Sequence, residues 1–177
     1  MATIPTHAVS GIALASFFLK QTDSRYWWII GAAAAMVPDL DILAFIFGIP
    51  YESPSGHRGI THSLFFAAAF AWLLFVLAGQ FSREVPPRIG VYFFAAIASH
   101  GFIDAFTDGG LGVGFFIPLS SDRFFFPLRP IPVSPIGIGW FFSHEGWFIL
   151  KTELLWVWLP SAVTFLTGWL VRNRFRR

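Results

Sequence analysis

Four stretches of this chain, 26–49, 61–79, 89–106 and 154–171, are almost wholly apolar and close to the length that crosses a bilayer; a fifth, 6–19, is shorter. A helix needs about 20 largely apolar residues, within a range of about 17–25, to span the hydrocarbon core. A small water-soluble domain cannot hide so many such runs. Of the 177 residues, 55% are hydrophobic and 12% are charged, about half the roughly 25% charge of a soluble chain. With 23 Phe and 8 Trp, the apolar surface exceeds what a core of this size can bury. The expected fold class is therefore all-α, a polytopic membrane helical bundle of about four to five transmembrane helices, since helices satisfy their own backbone in lipid. Disorder is excluded on the same grounds. Segment 6–19 is expected to be tilted, partly buried or re-entrant. No basic residue precedes it, so it reads as retained rather than as a cleaved signal.

The long connection 107–153 is dense in Phe, Pro and Gly, with prolines at 118, 127, 130, 132 and 135 that rule out a continuous helix through that stretch. Its aromatics and scattered arginines suit the headgroup region, and it is expected to form an interfacial cap on a single domain covering 1–177. In a five-pass arrangement Lys20, Arg25, Arg83, Arg88, Arg172, Arg174, Arg176 and Arg177 share one side, against Arg58, Arg123, Arg129 and Lys151 on the other. That bias predicts a cytoplasmic C-terminus. The basic tail reads as a membrane anchor, and no nucleic-acid partner is expected.

There is no cysteine, which removes disulfides, thiolate metal sites and cysteine nucleophiles and leaves His, Asp and Glu as the candidate chemistry. In "ASHGFIDAFTDGG" the i,i+4 spacing puts His100 and Asp104 on one helix face, able to meet one ion or each other. Ionisable groups inside an apolar span are costly and suggest function; the competing role is a His–Asp hydrogen bond joining two helices. Asp108, followed by Gly109 and Gly110, reads either as a further ligand or as a loop carboxylate. In "GHRGITHS", His57 and His62 are separated by about 500° of helix, so a regular helix cannot aim both at one ion. His57 is expected in a glycine-flanked loop, and His62 on the first turn of the next helix behind a Thr61 cap.

"VPDLDIL" places Asp39 and Asp41 after Pro38, which kinks or breaks the span where irregular backbone can line a polar cavity. Two carboxylates there could hold or bridge cations, although Asp39 could equally cap a half-helix. His7 is weak alone. In the five-pass arrangement, however, His7, Asp39, Asp41, His57, His62, His100 and Asp104 all fall toward the same ends of their segments. His144 and Glu145 read as a solvated interfacial pair. Glu153 reads as a first-turn acid of the last span unless the bundle turns it inward.

Taken in order, "THAVSG", "PDLD", "HRGITHS", "SHGFIDAFTDGG", the Pro/Phe/Arg segment and "TELLWVWLP" resemble the YdjM-like, LexA-regulated type of bacterial inner-membrane protein regarded as metal-dependent hydrolases. The resemblance runs through nearly the whole chain, and "HRGITHS" with a downstream His-x-x-x-Asp is its most specific part. It implies a protein of the bacterial inner membrane with a divalent metal site, zinc for preference, of one or two ions. The metal positions it carries over are His7, Asp39, Asp41, His57, His62, His100 and Asp104. A more distant likeness to all-helical zinc phospholipase C and single-strand nuclease enzymes implies phosphoester chemistry.

The function expected from these readings is metal-activated attack of water on a lipid-linked or amphiphilic substrate, plausibly a phosphoester. Arg58 would pair with the phosphate, and Asp108 or Glu153 would carry the proton. No Gly-x-Ser-x-Gly elbow is present, which disfavours a serine esterase of that type. The alternative is a metal or proton transporter, or a sensor, using the same groups.

Overall fold

The structure is a computed structural model and describes residues 1–177 apart from 21, 83, 136–138 and 175–177. Arg83, Arg176 and Arg177, counted above on the basic side, lie outside the described residues. The chain forms α1 (Ile4–Phe18), α2 (Tyr26–Ala34), α3 (Leu64–Phe81), α4 (Pro87–Ala105), α5 (His144–Glu153) and α6 (Leu159–Arg174). Among the described residues, three 3-10 segments, Val37–Phe47, Ile60–His62 and Gly139–Phe142, and a π-helical turn at Leu154–Trp158 complete the helical set. Among the described residues there is no strand, and extended pairing is confined to isolated bridges between Thr107 and Ile131 and between Val113 and Phe124. The fold is all-α, as the apolar runs predict.

Among the described residues, three helices are long and apolar enough to cross a membrane, Tyr26–Phe47, Leu64–Phe81 and His144–Arg172, and α1 is a shorter apolar helix. At the centre α1 packs against α2, α4 and α6, and α3 packs on α4. Small residues make that contact close. A Cβ on Gly11 would lie 3.1 Å from both Ala35 Cβ and Gly31 O, and one on Gly31 would lie 2.1 Å from the Tyr92 hydroxyl. That hydroxyl donates to Gly11 O at 3.1 Å, so one side chain ties α4 across the α1–α2 seam. Close backbone approach through small residues is how helices associate where the solvent is itself apolar. Helix α3 buries Ala67, Ala71 and Ala78 and exposes Phe65, Trp72, Leu73, Val76, Leu77 and Phe81, which gives that helix its lipid-facing surface.

Two boundaries differ from the sequence expectation. The last span begins at His144 rather than near 154, because every proline of the connection lies upstream and Ser143 caps the helix by accepting from Gly146 N at 3.1 Å. The final ten residues of the expected cap are thus helical, and Glu153 sits mid-helix rather than in a first turn. The π turn follows from Pro160, which has no N–H and whose ring crowds the carbonyl four residues back; a wider turn relieves both. Likewise α3 starts at Leu64, capped by Ser63, which accepts from Phe66 N at 3.0 Å, and the Thr61 hydroxyl is engaged elsewhere.

Candidate metal centre

Four separate segments supply the centre. His7 lies one turn into α1, while Asp39 and Asp41 lie on the 3-10 segment after Pro38. With about three residues per turn in such a helix, positions two apart diverge by roughly 240°. Asp39 accordingly faces His7 and His100, and Asp41 faces the loop that carries His57. That loop is tight: a Cβ on Gly56 would lie 2.2 Å from Pro50 O, and one on Gly59 2.2 Å from Pro54 O. Arg58 between them holds a left-handed φ of 60°. Arg123 fastens the loop from outside, donating to His57 O at 2.9 Å, Tyr51 O at 3.1 Å and Ser53 O at 2.9 Å. On α4, Gly101 lets the helix approach His62, since a Cβ there would lie 2.9 Å from His62 O.

His62, His100, Asp39 and Asp104 each offer a donor atom, and all four atoms lie within 4.8 Å of one another. His62 Nε2 is 3.1 Å from His100 Nε2, 3.4 Å from Asp104 Oδ2 and 3.8 Å from Asp39 Oδ1. His100 Nε2 is 3.3 Å from Asp39 Oδ1 and 3.9 Å from Asp104 Oδ2. A tetrahedron with metal–ligand bonds of about 2.0–2.1 Å has edges of about 3.3–3.4 Å, so these donors need only small shifts to close on one ion.

Both rings are turned toward that point by their other nitrogen. His100 Nδ1 lies 2.7 Å from Ala35 O, a contact that requires N–H at Nδ1 and leaves Nε2 as a lone pair. His62 Nδ1 lies 3.2 Å from Asp41 Oδ2, which favours the same tautomer. Two Nε2 lone pairs at 3.1 Å repel unless a cation or a proton lies between them. In keeping with this, His62 is pushed up to about 9: burial opposes its charge, but the Asp104 and Asp41 carboxylates beside the ring outweigh burial. The unsatisfied buried atoms point the same way. Both oxygens of Asp39, both nitrogens of His7 and Asp104 Oδ2 have no hydrogen-bond partner, a condition rare in native interiors unless an ion or water is held there. The residues therefore fit a divalent cation.

A second set, Asp41, His57 and His62, also clusters within ligand range, but Asp41 already has a full complement of donors. It pairs with His57 Nδ1 at 2.6 Å and accepts from Arg58 N at 3.1 Å and Thr61 Oγ1 at 2.6 Å, beside its contact to His62.

The other candidate residues are placed as follows. Arg58 is fully buried; its Nε lies 3.2 Å from Asp104 Oδ2, and its two terminal nitrogens donate to Gly109 O and Thr107 Oγ1, each at 2.8 Å. Asp108 is exposed and accepts from Val133 N at 2.9 Å, holding the connection rather than joining the cluster. Glu153 is fully buried and accepts from Thr3 N at 2.6 Å, from Thr6 Oγ1 at 2.7 Å and from Thr3 Oγ1. It thereby caps α1 from another helix, since Thr3, the residue at that helix's N-cap, makes no cap bond with its own side chain. His144 and Glu145 are exposed at the start of α5. Sequence reading overlooked Ala35 O, Thr107 and Arg123. A backbone carbonyl carries no residue signature, and nothing in the local pattern of the other two distinguishes them.

The sequence matches the model of the family described as YdjM inner membrane protein over residues 1–175. It is 33% identical over 169 residues to the inner membrane protein YbcI of Escherichia coli (strain K12), covering 96% of this chain and 98% of that protein. No solved structure matches the chain.

Proposed function

The chain belongs to the YdjM inner membrane protein family, and on that premise we propose that it is a membrane-embedded, divalent-cation-dependent hydrolase of lipid-linked or otherwise amphiphilic esters. The observation that carries the reading is the buried pair of Nε2 atoms 3.1 Å apart, bordered by the unpartnered oxygens of Asp39. His62, His100, Asp39 and Asp104 would hold the cation, zinc by donor type. When bound, such a cation polarises an ester or phosphoryl oxygen and lowers the pKa of water toward about 7.

The chain's own residues do the rest. Asp41 and the Ala35 carbonyl keep the two rings aimed inward, as outer partners of ligating histidines do. Arg58 is buried and held by Gly109 O, Thr107 Oγ1 and its ion pair with Asp104, so it fixes the Asp104 rotamer rather than meeting substrate. Asp108 and Glu153 are held by backbone and threonine donors away from the cluster, which leaves the free Oδ2 of Asp39 as the proton acceptor at hand. An apolar cleft of about 380 Å³ opens between α1, α4 and α6. Its walls include Ser10, one turn beyond His7, and Ser99 and Ile103, neighbours in sequence of His100 and Asp104. An apolar cleft lined by these sequence neighbours suits the tail of an amphiphile. With the C-terminus cytoplasmic, as the basic residues favour, the site lies toward the outer face.

Purified protein should contain zinc that is lost in His62→Ala and His100→Ala, and should release product from a phospholipid or polyprenyl phosphate in a chelator-sensitive way. Carefully prepared wild type without metal would sink the reading. The complete enclosure of the cluster, with His7, His100 and Asp104 at 0% exposure, favours metal transport or sensing as the second reading. Metal retention and ion flux in liposomes without hydrolysis would select it.

A further inference from the structure

We propose that a phospholipid with a primary-ammonium headgroup lodges between α2 and α3, at the end of the bundle opposite the cation cluster. The start of α2 and the end of α3 flank a furrow of about 780 Å³, within the usual size range of a ligand cleft. Its floor is the core itself: Trp27, Ile30 and Leu74 pack on the buried central cluster, and Ala78 is buried. Its sides are Ile29, Leu77 and Phe81, all exposed. From Phe81 back to Leu74 the furrow runs about 10 Å along the helix axis. His62 lies just ahead of α3, so the far end of that helix is about 25 Å from the cation cluster. The furrow is therefore a separate site.

Its mouth is polar. Thr22, Ser24 and Ser82 bring hydroxyls to it, and the two charged residues that line it, among the described residues, are both acids, Asp23 and Glu84. Asp23 is engaged on both oxygens, by Arg88 Nη2 at 2.6 Å and by Lys20 N at 2.7 Å. Glu84 is exposed and is the carboxylate left to meet a ligand. An anionic headgroup would meet like charge there.

A headgroup that carries N–H donors on a cation matches this mouth. Glu84 accepts a charge-assisted hydrogen bond from the ammonium, the hydroxyls accept its remaining donors, and Arg25, exposed beside Ser24, stands at the level of the phosphate. A quaternary ammonium has the charge without the N–H, and a glycerol headgroup has neither. Below the mouth an acyl chain restores the dispersion contacts that an unfilled furrow forfeits. A second copy of the chain suits the furrow less well. Two-fold symmetry brings the same patch of both copies together, and with it the acids of one mouth against those of the other.

The test uses the full chain, purified in detergent, stripped of lipid and titrated in native mass spectrometry. The probes are phosphatidylethanolamine, phosphatidylcholine and phosphatidylglycerol with identical acyl chains. One phosphatidylethanolamine per chain is expected, bound about three- to fivefold more tightly than either of the others, the effect that an exposed ion pair supports. Glu84→Gln should lower phosphatidylethanolamine to the phosphatidylcholine level, and Leu77→Trp, which fills the furrow, should weaken all three. Both side chains are exposed, so unfolding temperatures in lipid-free detergent should match wild type. If either variant unfolds, the wild-type ranking decides alone. Equal affinity for the three lipids, a preference for phosphatidylglycerol, an unchanged ranking in folded Glu84→Gln, or a lipid-free dimer that covers the furrow overturns the proposal.

Discussion

Asp41 Oδ2 lies 3.2 Å from His62 Nδ1, on the far side of the ring from the nitrogen that faces His100. This carboxylate also gathers His57, the Arg58 backbone and Thr61, so one side chain organises the whole "HRGITH" turn around the ring it orients. Asp41→Asn keeps the shape and removes the charge. Zinc affinity should fall by about 10–100-fold with stoichiometry unchanged, measured by competition with a chromophoric chelator. Loss of an equivalent of metal would instead make Asp41 a ligand.

Arg58 serves the fold through Asp104. Arg58→Met leaves a buried carboxylate without its cation, together with two acceptors without donors, and should cost about 3–5 kcal/mol. Arg58→Lys cannot reproduce the fork that reaches Asp104, Thr107 and Gly109 together, so it should recover less than half. Thermal unfolding in detergent reads both. An unchanged melting temperature with a raised KM would return Arg58 to a substrate role.

Glu153 accepts only from donors, so Glu153→Gln turns an amide N–H₂ toward at least one of them. The expected loss is about 1–3 kcal/mol, with metal content retained. If Glu153 were instead the proton carrier, the variant would fold normally and lose a limb of its pH–rate profile.

Gly31 and Gly79 make a matched pair in helices α2 and α3. A methyl at Gly31 meets the Tyr92 ring, whereas one at Gly79 meets nothing within 4 Å. Gly31→Ala should therefore destabilise by about 1–3 kcal/mol, and Gly79→Ala should not destabilise. Equal effects would contradict the packing of α4 against α2.

His62 sets a pH dependence. In cation-free protein its pKa is raised from the ordinary 6.5 to about 9, so its stabilising contribution is complete below about pH 6.5 and disappears as pH rises through about 9. A cation must displace that proton. Zinc affinity should therefore rise by about tenfold per pH unit across the same window, as one proton is released. Titrations at several pH values that gave a flat profile would contradict the protonated ring.

Much of the candidate site is legible in the sequence because membranes make ionisable residues conspicuous. His100 and Asp104 need only helical spacing to be paired, and Pro38 marks the irregular backbone that carries two aspartates. Arg58, Asp108 and Glu153 are less legible. Their partners, Asp104, Val133 and Thr3 with Thr6, come from distant segments, and no local pattern indicates whether a polar side chain will meet a substrate or a neighbouring strand of backbone.

The sequence by itself determines the solvent, the helical class and the short list of side chains able to bind a cation, since transfer free energy and helical period are properties of short segments. Tertiary structure decides the direction of each side chain. It alone sends Asp39 toward His7 and His100 and Asp41 toward His62, because a 3-10 segment turns them apart. It alone stacks His7 on His100, because the approach of α1 to α4 depends on glycine contacts between segments far apart in the chain.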